Sequence, residues 1–153
     1  MKSFVKALQD RIIQLEKENQ ALKTHAPYGI LTRAAFEIEK RKITGGQFVI
    51  FGDVDDMHGL NTQYGYEAVN QKIRAALQIR ETDLLAMGLW FSGDEIVFIL
   101  SGDPVGFCKR IKQSFFDQHM GITLAYAKII NGNIDAAIQI AAEVVQTQKA
   151  ERK

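Results

Sequence analysis

The sequence predicts an α+β domain with a ferredoxin-like βαββαβ core and flanking helices, preceded by a separate N-terminal helix. Two observations lead to this prediction. Apolar segments of strand length and segments of helical periodicity follow one another in the order β-α-β-β-α-β. A heptad pattern fills the first residues and stops at a Pro and a Gly. We therefore expect a coiled coil over residues 1–24 and one domain over residues 25–153.

The N-terminal helix, Met1 to about Lys23, has the pattern of a parallel two-stranded coiled coil. Leucines recur at heptad position d, β-branched residues at a, and a single Asn at a further a position, the device that fixes register and dimer state. The predicted zipper residues are Val5, Leu8, Ile12, Leu15, Asn19 and Leu22. The alternative is an amphipathic helix folded back on its own domain. A buried Asn and matched flanking charges favour the homodimer over that alternative.

The first half of the core is predicted to be a helix, a strand and a second helix. Thr32–Lys42 is amphipathic, with Thr32 as N-cap, and the glycine pair at 45–46 ends it. Gln47–Val54 is apolar and rich in β-formers, so it is expected to be a buried strand. Tyr66–Ile79 carries apolar residues at helical spacing.

The second half is predicted to be a hairpin followed by a helix, a strand and a last helix. Leu84–Phe91 and Glu95–Leu100 are apolar runs separated by a short Ser-Gly-Asp turn. The remaining elements are the helix Pro104–Phe116, which has Pro at its first position, the strand Gly121–Ile129 and the helix Ile134–Lys149.

Composition and charge exclude several classes of protein. The 153 residues carry a net charge of +1, which argues against a strongly basic nucleic-acid binder. With 46% hydrophobic and 24% charged residues, the chain has a globular and not a disordered composition. Charges interrupt the N-terminus where a signal peptide needs an apolar stretch, and the apolar runs are too short to cross a membrane. The lone Cys108 fits a reducing compartment, so we expect a cytoplasmic protein without nucleic-acid or membrane partners.

Two acidic motifs are predicted to meet at one edge of the sheet. Right-handed crossovers place the third strand between the first and second, antiparallel to both. Asp53, at the end of the first strand, then lies beside Asp94 and Glu95, about 40 residues away in sequence. Strand alternation puts Asp55 on the same face as Asp53. Clustered carboxylates of this kind suit Mg²⁺ or Mn²⁺, although an acidic turn is often only a solvated turn.

Five motifs in the same order resemble those of the GGDEF domain, the diguanylate cyclase family, over Tyr28–Lys153. The segment GILTRAAF at 29–36 resembles the family's first motif, and DVD at 53–55 with LN at 60–61 and YG at 64–65 resembles its second. SGDEI at 92–96 stands where the signature pentapeptide would be. ITLAYA at 122–127 is similar to the family's last strand, and two lysines stand at the positions of its terminal basic pair.

The resemblance implies a palm-type fold and a metal-dependent dinucleotide cyclase that condenses two nucleoside triphosphates, GTP first, into a cyclic dinucleotide such as cyclic di-GMP. It implies that Asp53, Asp94 and the backbone carbonyl of Val54 hold Mg²⁺ or Mn²⁺, and that Glu95 assists deprotonation of the attacking 3′-hydroxyl. The phosphate-binding residues that it implies are Asp56, Met57 and His58 through their backbone, with Lys149 and Lys153. For the two lysines, a solvated helix terminus is the alternative.

The resemblance also assigns the nucleobase to Asn61 and Asn70. The family normally has Asp at the second position, whose carboxylate accepts from guanine N1–H and N2–H₂. Asn70 offers one acceptor and one donor, which in one orientation matches guanine and in the other matches adenine. GTP, ATP or a mixture of the two therefore remain open as substrates.

Three departures from the family pattern favour a second interpretation, a degenerate module that binds nucleotide or only dimerises and recruits a partner. Ser92 replaces a Gly, which is awkward if the turn needs a positive φ. Arg80 and Asp83 resemble the family's R-x-x-D product-inhibition motif, but three extra residues separate them from the signature. An ordinary helix-end salt bridge is the simpler interpretation of this segment. The third departure is Asn70.

Overall fold

The computed structural model describes residues 2–152, so the predicted phosphate ligand Lys153 lies outside the described residues, as does the side chain of the zipper residue Leu22. Within this range the helices are α1 (Lys2–Lys23), α2 (Arg33–Lys42), α3 (Met57–Tyr64), α4 (Tyr66–Ala76), α5 (Pro104–Asp117) and α6 (Ile134–Glu151). The strands are β1 (Thr24–His25), β2 (Ile30–Leu31), β3 (Phe48–Val54), β4 (Leu84–Leu89), β5 (Glu95–Leu100) and β6 (Ile122–Lys128).

One mixed sheet, in the order β1-β2-β4-β5-β3-β6, forms the centre of the domain. The strand β5 lies between β3 and β4 and is antiparallel to both, as the crossover argument predicts. The last strand, β6, pairs antiparallel with the other side of β3. The predicted α+β class and βαββαβ order are therefore confirmed, with β3 paired between β5 and β6.

Alternation along the strands divides the core into two layers. Ile50 and Phe98 belong to the layer that contains α4 and α5, which contribute Val69, Ile73, Phe107, Ile111 and Phe115. Phe51 and Val97 belong to the opposite layer, which contains Phe36 of α2 together with Ala137, Ile138, Ala141 and Val145 of α6. Asp53 shares the strand parity of Phe51, so its carboxylate lies on the face covered by α6.

The structure adds three elements that the sequence pattern did not predict. The strands β1 and β2 are two residues each and extend the sheet beyond β4. The helix α3 begins after Asp56, which has a left-handed backbone (φ 52°) and caps it by accepting from the Gly59 N–H. Gly65, with φ 85°, separates α3 from α4. Several predicted elements also end differently by up to three residues; the helix predicted over Tyr66–Ile79, for example, stops at Ala76.

The N-terminal helix α1 leaves its apolar residues in solvent within the single chain. Val5, Leu8, Ile12 and Leu15 are all 47–54% exposed. Its end is joined to the sheet, since Thr32 donates its backbone N–H to the Lys23 carbonyl at 2.9 Å. Among the described residues, no helix is both long enough and apolar enough to span a membrane.

Candidate functional site

The two acidic motifs meet where β3 and β5 pair. Asp53 lies directly opposite Glu95 in the register of these strands. The next residue, Val54, donates its backbone N–H to the Asp94 carbonyl at 2.8 Å, which fastens the β4–β5 hairpin to the end of β3. The predicted juxtaposition of Asp53 with Asp94 and Glu95 is thus present.

The ammonium group of Lys149, near the end of α6, contacts the end of β3. Its Nζ lies 2.7 Å from Asp53 Oδ1 and 3.1 Å from the Val54 carbonyl oxygen. Asp55 Oδ1 lies 3.5 Å from the same nitrogen. Asp53 is buried, and this burial raises the pKa of its carboxyl above the ordinary value, while the Lys149 charge opposes the shift. Lys149 therefore neutralises Asp53 in this structure.

A second basic side chain near the end of α6, which the sequence analysis did not select, reaches the same place. Arg152 Nη1 lies 2.8 Å from Thr123 Oγ1 and 3.7 Å from Asp55 Oδ2. Thr123 is buried and donates its hydroxyl to Asp55 Oδ1 at 2.6 Å. The signal that could have identified Arg152 is its place one turn after Lys149 on the same helix.

Ser92 binds the carboxylates of its own hairpin. Its hydroxyl donates to Asp94 Oδ1, and its backbone N–H donates to Glu95 Oε1 at 3.1 Å. The expected strain from Ser in place of Gly is absent, because Ser92 is not among the described residues with positive φ. The substitution instead supplies a donor that engages Asp94.

The predicted phosphate turn lies at the start of α3. Met57 and His58 are the first two residues of the helix, where backbone N–H groups have no acceptor within the helix. The Asp56 side chain accepts from the Gly59 N–H at 3.1 Å and leaves the two earlier N–H groups available. A Cβ at Gly59 would come within 2.2 Å of Asp56 Oδ2, so a larger residue there would displace the capping carboxylate from its present position. The start of α3 thus has two backbone N–H donors without acceptors in the helix and the positive end of the helix dipole.

The two predicted nucleobase residues lie on adjacent helices that contact each other, Asn61 on α3 and Asn70 on α4. Asn61 Oδ1 is buried and has no hydrogen-bond partner among the described residues. A buried acceptor without a partner is unfavourable, and a ligand donor would relieve it. This orphaned oxygen fits a ligand that binds between α3 and α4.

The segment that carries the R-x-x-D residues does form a salt bridge, but not between its Arg and its Asp. Within residues 2–152, Arg80 and Asp83 form no ion pair, and both are exposed. Glu81, between them, pairs instead with Arg110 of α5. Asp83 serves the turn before β4 by accepting the Ser101 N–H on its backbone carbonyl at 2.9 Å.

The residues assigned to Mg²⁺ or Mn²⁺ fit a cation in part. Asp53 Oδ1 and the Val54 carbonyl converge on one positive charge, that of Lys149, and both are hard oxygen ligands. Asp94, the third assigned ligand, is bonded to Ser92. In the part of the chain that the structure describes, no three His, Cys, Asp or Glu side chains are grouped closely enough to hold a metal ion. Binding a metal here therefore requires both Lys149 and Asp94 to move.

A cleft of about 850 Å³ opens beside the site, between α2 and α6. Phe51 contributes to its floor and Glu95 lies at its edge. The Arg33 guanidinium covers one wall, 3.5 Å from the centre of the Phe91 ring and 4.5 Å from that of Trp90. The Glu95 carboxylate can therefore be approached from the α6 side of the sheet.

No protein-family model and no curated protein matches this sequence. Solved structures do match. A coiled coil and GGDEF domain of DgcB from Caulobacter crescentus, in complex with c-di-GMP, is 13% identical with a TM-score of 0.74, over 98% of this chain and 91% of that one. A microbial GGDEF domain that interacts with bis-(3′,5′)-cyclic di-GMP is 17% identical with a TM-score of 0.69, over 88% and 94%.

A third match is the diguanylate cyclase SiaD from Pseudomonas aeruginosa, in complex with its activator SiaC. It is 18% identical with a TM-score of 0.60, over 97% of this chain and 68% of that one. Structural similarity at this level of sequence identity shows the fold alone. The chain has the fold of GGDEF domains, as the sequence resemblance implies.

Proposed function

We propose that this protein is a metal-dependent dinucleotide cyclase that joins two nucleoside triphosphates, with GTP as the first candidate, and releases pyrophosphate. The observation that supports this most strongly is the pairing of Asp53 with Glu95, beside Asp94 and the basic end of α6. Carboxylates of two separate motifs and a lysine meet at one end of the sheet, next to the N-terminus of α3, the kind of helix end that can bind an anion.

Asp53, the Val54 carbonyl and Asp94 would hold Mg²⁺ or Mn²⁺. When bound, such an ion neutralises triphosphate charge and lowers the pKa of a coordinated hydroxyl. The protein's own groups would do the rest. The backbone N–H groups of Met57 and His58 bind phosphate oxygens, and Lys149, displaced from Asp53, moves to the triphosphate.

In this proposal Glu95, opposite Asp53 in the sheet, takes the proton of the attacking 3′-hydroxyl. The 3′-oxygen then bonds to the α-phosphorus of the other nucleotide as the bond to pyrophosphate breaks. Two such condensations close the ring and release two pyrophosphates. Each half-site presents one nucleotide, so two domains must face each other. We propose that α1 brings them together as a parallel zipper, which raises their effective concentration to about mM.

The choice of base depends on Asn70. Within the cyclase proposal, Asn70 allows GTP, ATP or a mixture, because the amide of Asn can present a donor or an acceptor. Replacing Asn70 with Asp restores two acceptors for guanine N1–H and N2–H₂. We expect Asn70→Asp to shift the ratio of kcat/KM for GTP over ATP by about tenfold towards GTP, since a mismatched bidentate pair costs about 1–3 kcal/mol. An unchanged ratio would contradict this role.

A specific observation favours the second candidate function, a non-catalytic module. Ser92 engages Asp94, and Lys149 engages Asp53, so both principal carboxylates already have partners within the chain. A domain that only binds nucleotide, or that only dimerises and recruits a partner, could keep this arrangement permanently.

Pyrophosphate release separates the two candidates. Purified protein is incubated with GTP, ATP or both, with Mg²⁺ or Mn²⁺, and compared with Asp94→Ala at the same dimer concentration. The cyclase predicts release that Asp94→Ala lowers by at least about 10²-fold. Calorimetric binding of nucleotide without release in the wild type would support the module.

A further inference from the structure

Tyr28 reaches the acidic hairpin from the segment that follows α1. Its side chain is 5% exposed, and its hydroxyl donates to the Gly93 carbonyl at 2.7 Å across 65 residues of sequence. Gly93 is the middle residue of the Ser-Gly-Asp turn and comes directly before Asp94 and Glu95. The hydrogen bond therefore ends within two residues of both carboxylates.

The segment that carries Tyr28 is joined to the domain by hydrogen bonds and a ring contact. The His25 ring packs against the Tyr28 ring with centroids 4.4 Å apart. The Ala26 carbonyl accepts from Arg74 Nη1 of α4 at 2.7 Å, and the Gly29 N–H donates to the His25 carbonyl at 2.7 Å. The segment 24–29, which we term the connector, thus joins the end of α1 to the domain in a defined conformation.

The hairpin tip has few other restraints. Ser92 and Gly93 are exposed, and the side-chain bond from Ser92 to Asp94 is internal to the turn. The backbone bond from Val54 to the Asp94 carbonyl restrains the tip from one side, and Tyr28 restrains it from the connector. Burial and the charge of Asp94 both raise the pKa of Tyr28, so the phenol keeps its proton and donates at neutral pH.

We propose that Tyr28 is a positioning residue, which holds the Gly93 carbonyl so that Asp94 and Glu95 stay in register with Asp53 and which couples this hairpin to the connector after α1. The consequence for catalysis rests on the proposed cyclase function; the anchoring of the hairpin does not.

Tyr28→Phe tests the proposal, because it keeps the buried ring and removes only the hydroxyl. Hydrogen–deuterium exchange is followed on peptides that cover the hairpin and the end of β3. We expect the amides of Trp90, Glu95 and Val54, whose acceptors are carbonyls of the hairpin, to exchange about five- to tenfold faster. Peptides from β6 and α6 keep their wild-type rates. In active enzyme, kcat falls about fivefold while KM for the nucleotide changes less than about twofold.

The matched control is Tyr126→Phe, which removes the hydroxyl of a half-exposed tyrosine on β6 and should leave hairpin exchange and kcat unchanged. Unchanged hairpin exchange in Tyr28→Phe, or faster exchange spread evenly over the sheet, would overturn the anchoring. Faster hairpin exchange with wild-type kcat would overturn the positioning role. If the wild type releases no pyrophosphate, the cyclase proposal fails on its own, and the exchange experiment still decides whether Tyr28 anchors the hairpin.

Discussion

Lys149 contacts the oxygens that a divalent cation would need. Its ammonium group lies on Asp53 Oδ1 and the Val54 carbonyl, and its side chain is only 25% exposed. An ion that binds there must displace this ammonium group and lose the stabilisation of the pair. The lysine and the metal are therefore competitors for one position in the proposed site.

Removing the Lys149 charge should tighten metal binding. We expect Lys149→Met to lower the Kd for Mn²⁺, without nucleotide, by about tenfold, the effect of about 1.4 kcal/mol. Titration followed by electron paramagnetic resonance of free Mn²⁺ measures this. Arg152→Met removes the same charge near the end of α6, where the arginine reaches Asp55 only at 3.7 Å, and should change the Kd less than about threefold. Equal effects of the two variants would mean that net charge, and not occupancy by Lys149, controls binding.

Asp53 is predicted to reduce the stability of the fold. Burial raises its pKa above the ordinary value of 3.8, so the folded protein keeps this proton at pH values where the unfolded chain has released it. Stability then falls as pH rises through the interval between the ordinary and the raised value, and the loss persists above it. An Asn side chain at position 53 cannot ionise, so the folded protein would not lose this stability as the pH rises.

At pH 7 we therefore expect Asp53→Asn to raise Tm by about 2–4 °C, the shift that roughly 1 kcal/mol produces in a domain of this size, while it removes metal binding. Thermal denaturation from pH 3.5 to 8 measures the difference, which should shrink below the ordinary pKa. A lower Tm for Asp53→Asn at pH 7 would show that the Lys149 pair outweighs the burial of the charge.

Residue-level geometry could be predicted only where topology decides it. The meeting of Asp53 with Glu95 follows from strand order alone, because a central antiparallel strand must bring those two ends together. The bond from Ser92 to Asp94 and the contact of Lys149 with Asp53 depend on side-chain conformations that no spacing reveals. The bond from Tyr28 to Gly93 joins residues 65 positions apart and leaves no sequence pattern.

At the scale of elements, the exposed apolar residues of α1 differ in whether the proposed coiled coil would bury them. Leu8 and Ile13 are 49% and 50% exposed, so within the single chain their burial is the same. On the heptad numbering only Leu8 is at a core position, whereas Ile13 falls at b on the outside of a zipper. The proposed coiled coil would bury Leu8 and leave Ile13 exposed, whereas a helix without a partner leaves both residues exposed.

Leu8→Glu is therefore expected to dissociate the dimer, and Ile13→Glu to leave it intact. Two buried leucines lost per dimer should raise the dimer Kd by on the order of 10²–10⁴-fold. Sedimentation velocity at micromolar concentration gives both species. A monomeric wild type, or equal dissociation by the two variants, would contradict the zipper.

The sequence predicted correctly the elements that have a strong hydrophobic pattern, and it missed the elements in which that pattern is weak or absent. The strands β3 and β5 are buried along nearly their whole length, which makes their apolar runs unmistakable. The eight-residue helix α3 has no fully buried residue and packs only Met57 and Leu60 against the core, so its hydrophobic periodicity is weak and its Asp56 cap was its main signal. The strands β1 and β2, at two residues each, are shorter than any pattern can specify.

At the scale of the whole molecule, the net charge of +1 is the sum of acidic and basic residues that are unevenly distributed. Carboxylates gather at one end of the sheet, and the basic residues of α6 lie directly on them, with Lys149 on Asp53 and Arg152 beside Asp55. These carboxylates thus have basic partners within the chain, and the proposed cyclase would have to exchange those partners for metal and nucleotide.

The product of the reaction tests the cyclase proposal most directly. Purified wild-type dimer is incubated with GTP alone, ATP alone and an equimolar mixture, each with Mn²⁺, and the products are identified by mass spectrometry. The proposal predicts a cyclic dinucleotide in at least one mixture, and none with Asp94→Ala. A protein that is dimeric and folded, yet yields neither cyclic nor linear dinucleotide in any mixture, would contradict it.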